Sequence, residues 1–120
     1  MNDKDLPDAQ DAAPAEDAET RSFKLIMAAG MARSYAFEAL AEARKHNFDR
    51  ADELLEQARQ AEASAHAEQT KLLSQEARGC HTAVDMLLVH AQDHLMTALL
   101  ARELIEEIVN LYRVKADKEA

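Results

Sequence analysis

Two imidazoles, a carboxylate and a hydroxyl interrupt the most apolar stretch of the chain, in the run Leu87-Leu88-Val89-His90-Ala91-Gln92-Asp93-His94-Leu95-Met96-Thr97. On a helix of 3.6 residues per turn, His90, Asp93, His94 and Thr97 stand at i, i+3, i+4 and i+7, which puts all four on one strip of surface. Polar groups among Leu, Val and Met cost free energy unless each has a partner, so the interruption requires a reason.

The residue types allow three. The i, i+4 pair His90 and His94, with Asp93 between them, resembles metal-ligand spacing. A zincin-type site, however, has its Glu directly after the first His, where this chain has Ala91, and a third ligand would have to come from elsewhere, with His66 as the candidate. A second reading is a structural polar layer that satisfies itself inside a helical bundle. In the third, one imidazole is a nucleophile. With an ordinary pKa of about 6.5, neutral imidazole is abundant near pH 7 and can attack phosphorus to give a phosphoramidate. Phosphoryl transfer is mainly positioning and charge stabilisation, so a histidine at the edge of an apolar surface can perform it without a Gly-rich phosphate loop. The other histidines suggest less. His46 ends a helix, where a cation beside the last carbonyls is mildly favourable. His81 precedes a helix start, and His66 lies beside Gln69 at the edge of a helical stripe.

The elements that must position these groups are helices. With 120 residues, two Gly, two Pro and abundant Ala, Leu, Glu, Gln and Arg, the sequence predicts one all-α domain. No window approaches a membrane span, and the acidic N-terminus is the opposite of a secretory signal, so a cytoplasmic protein without membrane insertion is expected. Cys80, the single cysteine, allows no internal disulfide. Of the formal charge of -9, the segment 1–19 holds -6, from Asp3, Asp5, Asp8, Asp11, Glu16, Asp17 and Glu19 against Lys4. That balance argues against nucleic acid and anionic membranes as partners and for a protein or a small anion.

Residues 1–19 contain both prolines and little that is large and apolar, and are predicted to form a disordered acidic tail. From about residue 20 to His46, Phe23, Ile26, Met27, Gly30, Met31, Ser34, Phe37, Leu40 and Ala41 define an apolar stripe. Gly30 and Ser34 on it suggest that a neighbouring backbone comes close. Asn47 is placed to close this helix in the left-handed conformation, and Asp49 with Asp52 resembles a capping box opening the second, about 49–77. Its stripe is Ala51, Leu54, Leu55, Ala58, Ala61, Ala65, Gln69, Leu72 and Leu73. Gly79 stops it. Thr82 with Asp85 forms a further capping box, so the third helix is expected from near Ala83. One heptad line of that helix is Val84, Ala91, Ala98, Ile105 and Tyr112, and its companion is Leu87, His94, Ala101 and Ile108. Short turns imply an antiparallel bundle roughly 40 to 50 Å long at about 1.5 Å per residue. Around residues 84–89 the apolar residues cover more than half the helix circumference, which requires neighbours on two sides and predicts self-association through the third helix.

The segment Leu88–Thr97 (LVHAQDHLMT) resembles the signature of the lactose/cellobiose-type enzyme IIA proteins of the bacterial sugar phosphotransferase system. Gly30–Ser34 (GMARS) resembles the first-helix motif of that family, Ala65–Thr70 (AHAEQT) the second, and Leu100–Ile105 (LARELI) the continuation of the third. The likeness spans about residues 20–114 and is strongest with the diacetylchitobiose/cellobiose branch.

The resemblance implies a three-helix domain over 20–117 that assembles as a homotrimer, with the active histidine in a groove at the subunit boundary. His90 would accept a phosphoryl group from the histidine-containing phosphocarrier protein. It would pass that group to a cysteine of the cognate enzyme IIB during uptake of a β-linked disaccharide of the lactose, cellobiose or chitobiose class. The resemblance further implies that Asp93 is an axial carboxylate, three copies of which share a divalent metal, magnesium. Three converging carboxylates need a cation or raised pKa values. Gln92 is a candidate to bond the imidazole or phosphoryl oxygens, and His94 and His66 receive no role. The connection before the third helix departs from the family in being Gly79-Cys80-His81. Cys80 is not the phosphorylated cysteine of enzyme IIB, which belongs to a strand-containing fold. The competing expectations are a structural helical adaptor without phosphotransfer and a metal-dependent hydrolase.

Overall fold

A computed structural model describes residues 17–120. The expectation of a disordered tail falls mostly on residues 1–16, outside the described residues. Residues 17–19 do not belong to a tail. Asp17 is the N-cap of α1 (Ala18–Arg44), its side chain accepting from the Glu19 N–H at 3.3 Å. A cap carboxylate here satisfies an amide that has no carbonyl four residues earlier.

The end of α1 is a Schellman turn, in which the amide of His46 donates to the Ala43 carbonyl and that of Asn47 to Glu42. The left-handed residue is His46, with φ of 64°, and not Asn47 as the sequence predicts. Asn47 instead bonds the Glu42 carboxylate through Nδ2 at 2.8 Å, which draws the Glu42 pKa down. The ring of His46 stacks on Phe48, centroids 5.7 Å apart. With the turn closed by His46, α2 (Phe48–Ala77) begins one residue before the expected Asp49, and Asn47 caps it without a side-chain bond. Gly79 ends α2 as predicted: at φ of 86°, it places the Cys80 amide on the Gln75 carbonyl, 2.9 Å away. Cys80 is free and exposed.

The third helix, α3 (Met86–Glu119), starts three residues later than the sequence suggests. Asp85, not Thr82, is its cap, the carboxylate accepting from the Leu88 N–H at 2.8 Å. Thr82 is engaged elsewhere, its amide donating to Glu76 while the other oxygen of that carboxylate meets His81 Nδ1 at 2.6 Å. Val84 therefore lies before the helix and is exposed.

Among the described residues all regular structure is helical, in the antiparallel order that two buried clusters define. One joins the end of α1, the start of α2 and the end of α3 through Ala39, Ala43, Leu54, Ala58, Ile105 and Val109. The other joins the opposite ends through Leu25, Ala29, Ala65, Leu72, Leu95 and Ala98. Between them, at the level of Glu62 and Arg102, lies charge. Glu62 accepts two bonds from Arg102, from Nε and Nη2, both at 2.8 Å, and Nη1 of the same guanidinium reaches Glu106 at 2.8 Å. Arg59 completes the group on Glu106. Glu62 and then Glu106 hold the Arg102 pKa above its ordinary value. The sequence carries a trace of this cluster, since Glu62 follows Ala58 and Arg102 follows Ala98 by four residues, both on buried stripes.

The buried stripe of α1 is not the one its large residues predict. Ser22, Leu25, Ala29, Ala32, Ala36, Ala39 and Ala43 face the other helices. Phe23, Met27, Met31 and Phe37 are exposed. Among the described residues, nothing outside Gly30's own stretch of helix lies within 4 Å of a Cβ added there, so none of them supplies the close neighbour expected at this position. Alanines admit the close approach of helix axes that three thin layers need, and the bulky residues are left on the outside. In α2 the expected stripe holds except at Leu73, which is exposed.

Candidate functional site

Capping by Asp85 fixes where α3 begins, and therefore which side chains of its second turn reach the surface. Ala91 is fully buried. At about 100° per residue, His90 stands on one flank of Ala91 and Gln92 on the other, with Asp93, Met96 and Leu100 on the opposite face.

His90 is exposed, and its ring meets that of half-buried His94 edge to face, centroids 4.5 Å apart and planes at 76°. The two histidines are thus neighbours, as their spacing predicts. Such a pair can present one imidazole to solvent while the other limits its rotation. Thr97 is not part of this contact: its hydroxyl donates back to the Asp93 carbonyl at 2.8 Å.

On the other flank, Gln69 of α2 donates through Nε2 to Gln92 Oε1 at 2.6 Å, and the same nitrogen lies 3.5 Å from Met96 Sδ. Gln92 therefore does not serve the imidazole of its own subunit, from which it is turned away. The sequence places Gln69 on the α2 stripe without giving it a partner; a lone amide there was the available signal.

Asp93 is exposed on a strip of large apolar side chains, among them Val89, Met96, Leu100, Leu104, Leu111 and Val114. The sequence predicts a second apolar side around residues 84–89; Val84 lies before α3, and the exposed apolar strip runs instead from Val89 along the helix to Val114. The companion heptad line is only partly inside, with Leu87, His94 and Ala101 half-buried and Ile108 exposed. His66 is exposed on α2, and among the described residues no three His, Cys, Asp or Glu side chains are grouped to hold a metal. A three-ligand site from His66, His90 and His94 is therefore not formed within the subunit. Asp93 alone offers one hard oxygen ligand type, suited to magnesium only if further carboxylates are brought to it.

The family model described as "PTS system, Lactose/Cellobiose specific IIA subunit" matches residues 20–113. The chain belongs to the lactose/cellobiose-specific IIA family of the phosphotransferase system. It is 43% identical over 112 residues to the N,N'-diacetylchitobiose-specific EIIA component of Escherichia coli K12, covering 93% of this chain and 95% of that protein. With the lactose-specific EIIA component of Staphylococcus epidermidis it shares 41% identity over 98 residues, covering 82% and 94% of the two chains. Among solved structures, the cellobiose-specific enzyme IIA of Bacillus anthracis superposes with a TM-score of 0.81 at 42% identity, over 85% of this chain and 94% of that one. The chitobiose IIA of E. coli, solved in complex with HPr, gives 0.74 at 42% identity, over 85% and 99%. The IIA family thus has the three-helix fold found here, and the chain is a phosphotransfer component of sugar uptake, of the lactose, cellobiose or chitobiose type. Among the described residues, no helix is long and apolar enough to cross a membrane.

Proposed function

We propose that this IIA protein is a phosphohistidine carrier, that His90 is the accepting residue, and that it works as a cytoplasmic homotrimer built from the 20–117 domain. The observation that carries the reading is an imidazole exposed on the flank of a helix whose neighbouring residue is fully buried, so the nucleophile is held on a rigid element and remains within reach of a visiting protein. The donor is HPr, with which the similar chitobiose IIA has been solved in complex. The lone pair of one His90 ring nitrogen forms a bond to phosphorus as the N–P bond of the donor phosphohistidine breaks. The electron pair of that bond returns to the donor imidazole. In the second transfer a cysteine thiolate of enzyme IIB attacks the phosphorus, an S–P bond forms, and the N–P electron pair returns to His90. Neither step consumes water or changes an oxidation state.

Self-association is supported by the strip of six large apolar residues on α3, which a lone subunit leaves in water. Asp93 stands on that strip, so copies joined through it bring their carboxylates together, and a shared Mg2+ would neutralise them. The ion has no part in the transfer itself. A β-linked disaccharide of the lactose, cellobiose or chitobiose class is the sugar taken up, through other components of the system.

Labelled phosphoenolpyruvate supplied with the general phosphotransferase proteins tests the reading. Acid-labile label on the wild type and none on His90→Ala are expected; an unlabelled wild type overturns it and favours the adaptor. Metal analysis of the purified oligomer tests the ion, and Mg2+ retained by Asp93→Ala would remove Asp93 from its site.

A further inference from the structure

We propose that His90 and His94 of one subunit together chelate a late first-row divalent ion of the Zn2+ class, and that an ion held there blocks the nitrogen that accepts phosphate. This rests on the carrier reading above and adds an inhibitory metal site to it.

The two rings stand on consecutive turns of one helix, with centroids 4.5 Å apart. Metal–nitrogen bonds of about 2.0–2.1 Å, each in line with its ring, put the centroids of two rings that share an ion about 5 Å apart. The pair is therefore already near chelating distance. Its contact is edge to face, planes at 76°, so one ring has to turn before both nitrogens aim at the same point. His90 is the ring that can turn. It is exposed, and among the described residues it has no hydrogen-bond or ion-pair partner to hold it. The torsion between Cβ and the ring is broad in any histidine, so the turn costs little. No loop has to be ordered, because one helix carries both ligands. Among the described residues no other two histidines are in ring contact: His46 stacks on Phe48, His81 is bonded to Glu76, and His66 is exposed on α2.

The donors select the ion. Imidazole suits Zn2+, Cu2+ and Ni2+, whereas Mg2+ takes oxygen ligands and gives up its waters reluctantly. The pair thus does not compete for the Mg2+ assigned to Asp93. With two protein ligands the remaining positions stay with water, and the ion can leave, unlike one closed in by four side chains. The block follows from electron counting. A neutral imidazole has one ring lone pair, its other nitrogen carrying a proton. As the ion binds, two of its waters depart and each ring donates its pair, with no change of oxidation state. His90 then has no pair left to attack phosphorus, whichever of its nitrogens binds.

Two measurements on the full-length protein in excess Mg2+ test the proposal. Electron paramagnetic resonance with Cu2+ as the probe counts nitrogen ligands: the wild type should show two, and His94→Gln and His90→Ala no more than one. His81→Ala should keep both, and a signal lost there would move the ion to the turn before α3 and overturn the assignment. Phosphoryl transfer from HPr phosphorylated in advance, with and without Zn2+, reads the block. Losing one arm of the chelate should raise the half-blocking Zn2+ concentration about a hundredfold in His94→Gln. Each protein is compared with itself, so a slower His94→Gln does not disturb the result, and both receive the same donor. Equal Zn2+ sensitivity of wild type and His94→Gln would overturn the chelate, and wild-type transfer unmoved by saturating Zn2+ would overturn the block. Wild type that takes no phosphate even without Zn2+ would refute the carrier reading, and the block with it, whatever the Cu2+ spectrum shows. Circular dichroism on each variant separates these outcomes from misfolding.

Discussion

The two faces of α3 are made of different material. The inner face, toward α1 and α2, carries Ala91 and Ala98 with Leu95, Ile105 and Val109, and it meets an alanine stripe on α1. The outer face carries Val89, Met96, Leu100, Leu104, Leu111 and Val114, all about half exposed or more. A protein built to remain alone would put its larger residues inside. Here small side chains bring three helices close together within the subunit, and the large ones remain available to other molecules. The same division runs through α1, where Ala29, Ala32 and Ala36 are inside and Met27, Met31 and Phe37 outside.

Substitutions can test that division directly. The largest effect is expected from Leu100→Asp with Leu104→Asp on the outer face: helicity is retained, and light scattering finds the monomer mass in place of that of the proposed trimer. A trimer that survives both charges would mean that the outer face is not what joins the copies. On the inner face, Arg102→Met leaves Glu62 buried without its two-bond partner and should destabilise the fold by about 3 kcal/mol in urea titration. Ala36→Leu, at a position with no exposure, should cost about 1–3 kcal/mol by overpacking. Met31→Leu, one helix face away, should stay within about 0.5 kcal/mol. Equal losses at the two positions would erase the distinction between the faces.

The smallest effect concerns neither face. Glu76 is exposed, and its pKa is lowered first by the bond to His81 and then by the Thr82 amide. A carboxyl whose pKa is lower folded than unfolded stabilises the fold above the ordinary carboxylate range, and that contribution disappears as pH falls through the lowered value. Glu76→Gln should therefore be less stable than wild type at neutral pH and converge with it in acid, as followed by denaturant midpoints. A constant difference across that range would mean that the carboxylate is not the cause.

The sequence made the helices legible because Gly79 marks the end of one and the apolar period persists across each. It failed on which face of α1 turns inward. Both faces repeat at helical spacing, and hydrophobicity favours Phe and Met over Ala, whereas close packing of three helices favours Ala. The cap error at α3 has a similar origin: Thr82 and Asp85 both suit an N-cap by type, and in the fold the Asp85 carboxylate takes the Leu88 amide while the Thr82 amide donates to Glu76. At the site, spacing sufficed to pair His90 with His94, since both lie on one helix. It could not provide the Gln69–Gln92 bond, which joins residues of two helices and depends on their relative height.

That relative height is a problem for alanine-lined surfaces. A helix facing rows of methyl groups finds nearly the same packing if it slips by one turn, so smooth stripes are poor at indexing one helix against another. The Glu62–Arg102–Glu106–Arg59 cluster is not smooth: a one-turn slip of α2 along α3, about 5.4 Å, would part the two-bond fork and leave ions facing methyl groups. The charged layer between the two cores thus acts as a detent, and the level at which Gln69 meets Gln92, some distance along the same pair of helices, is held by it.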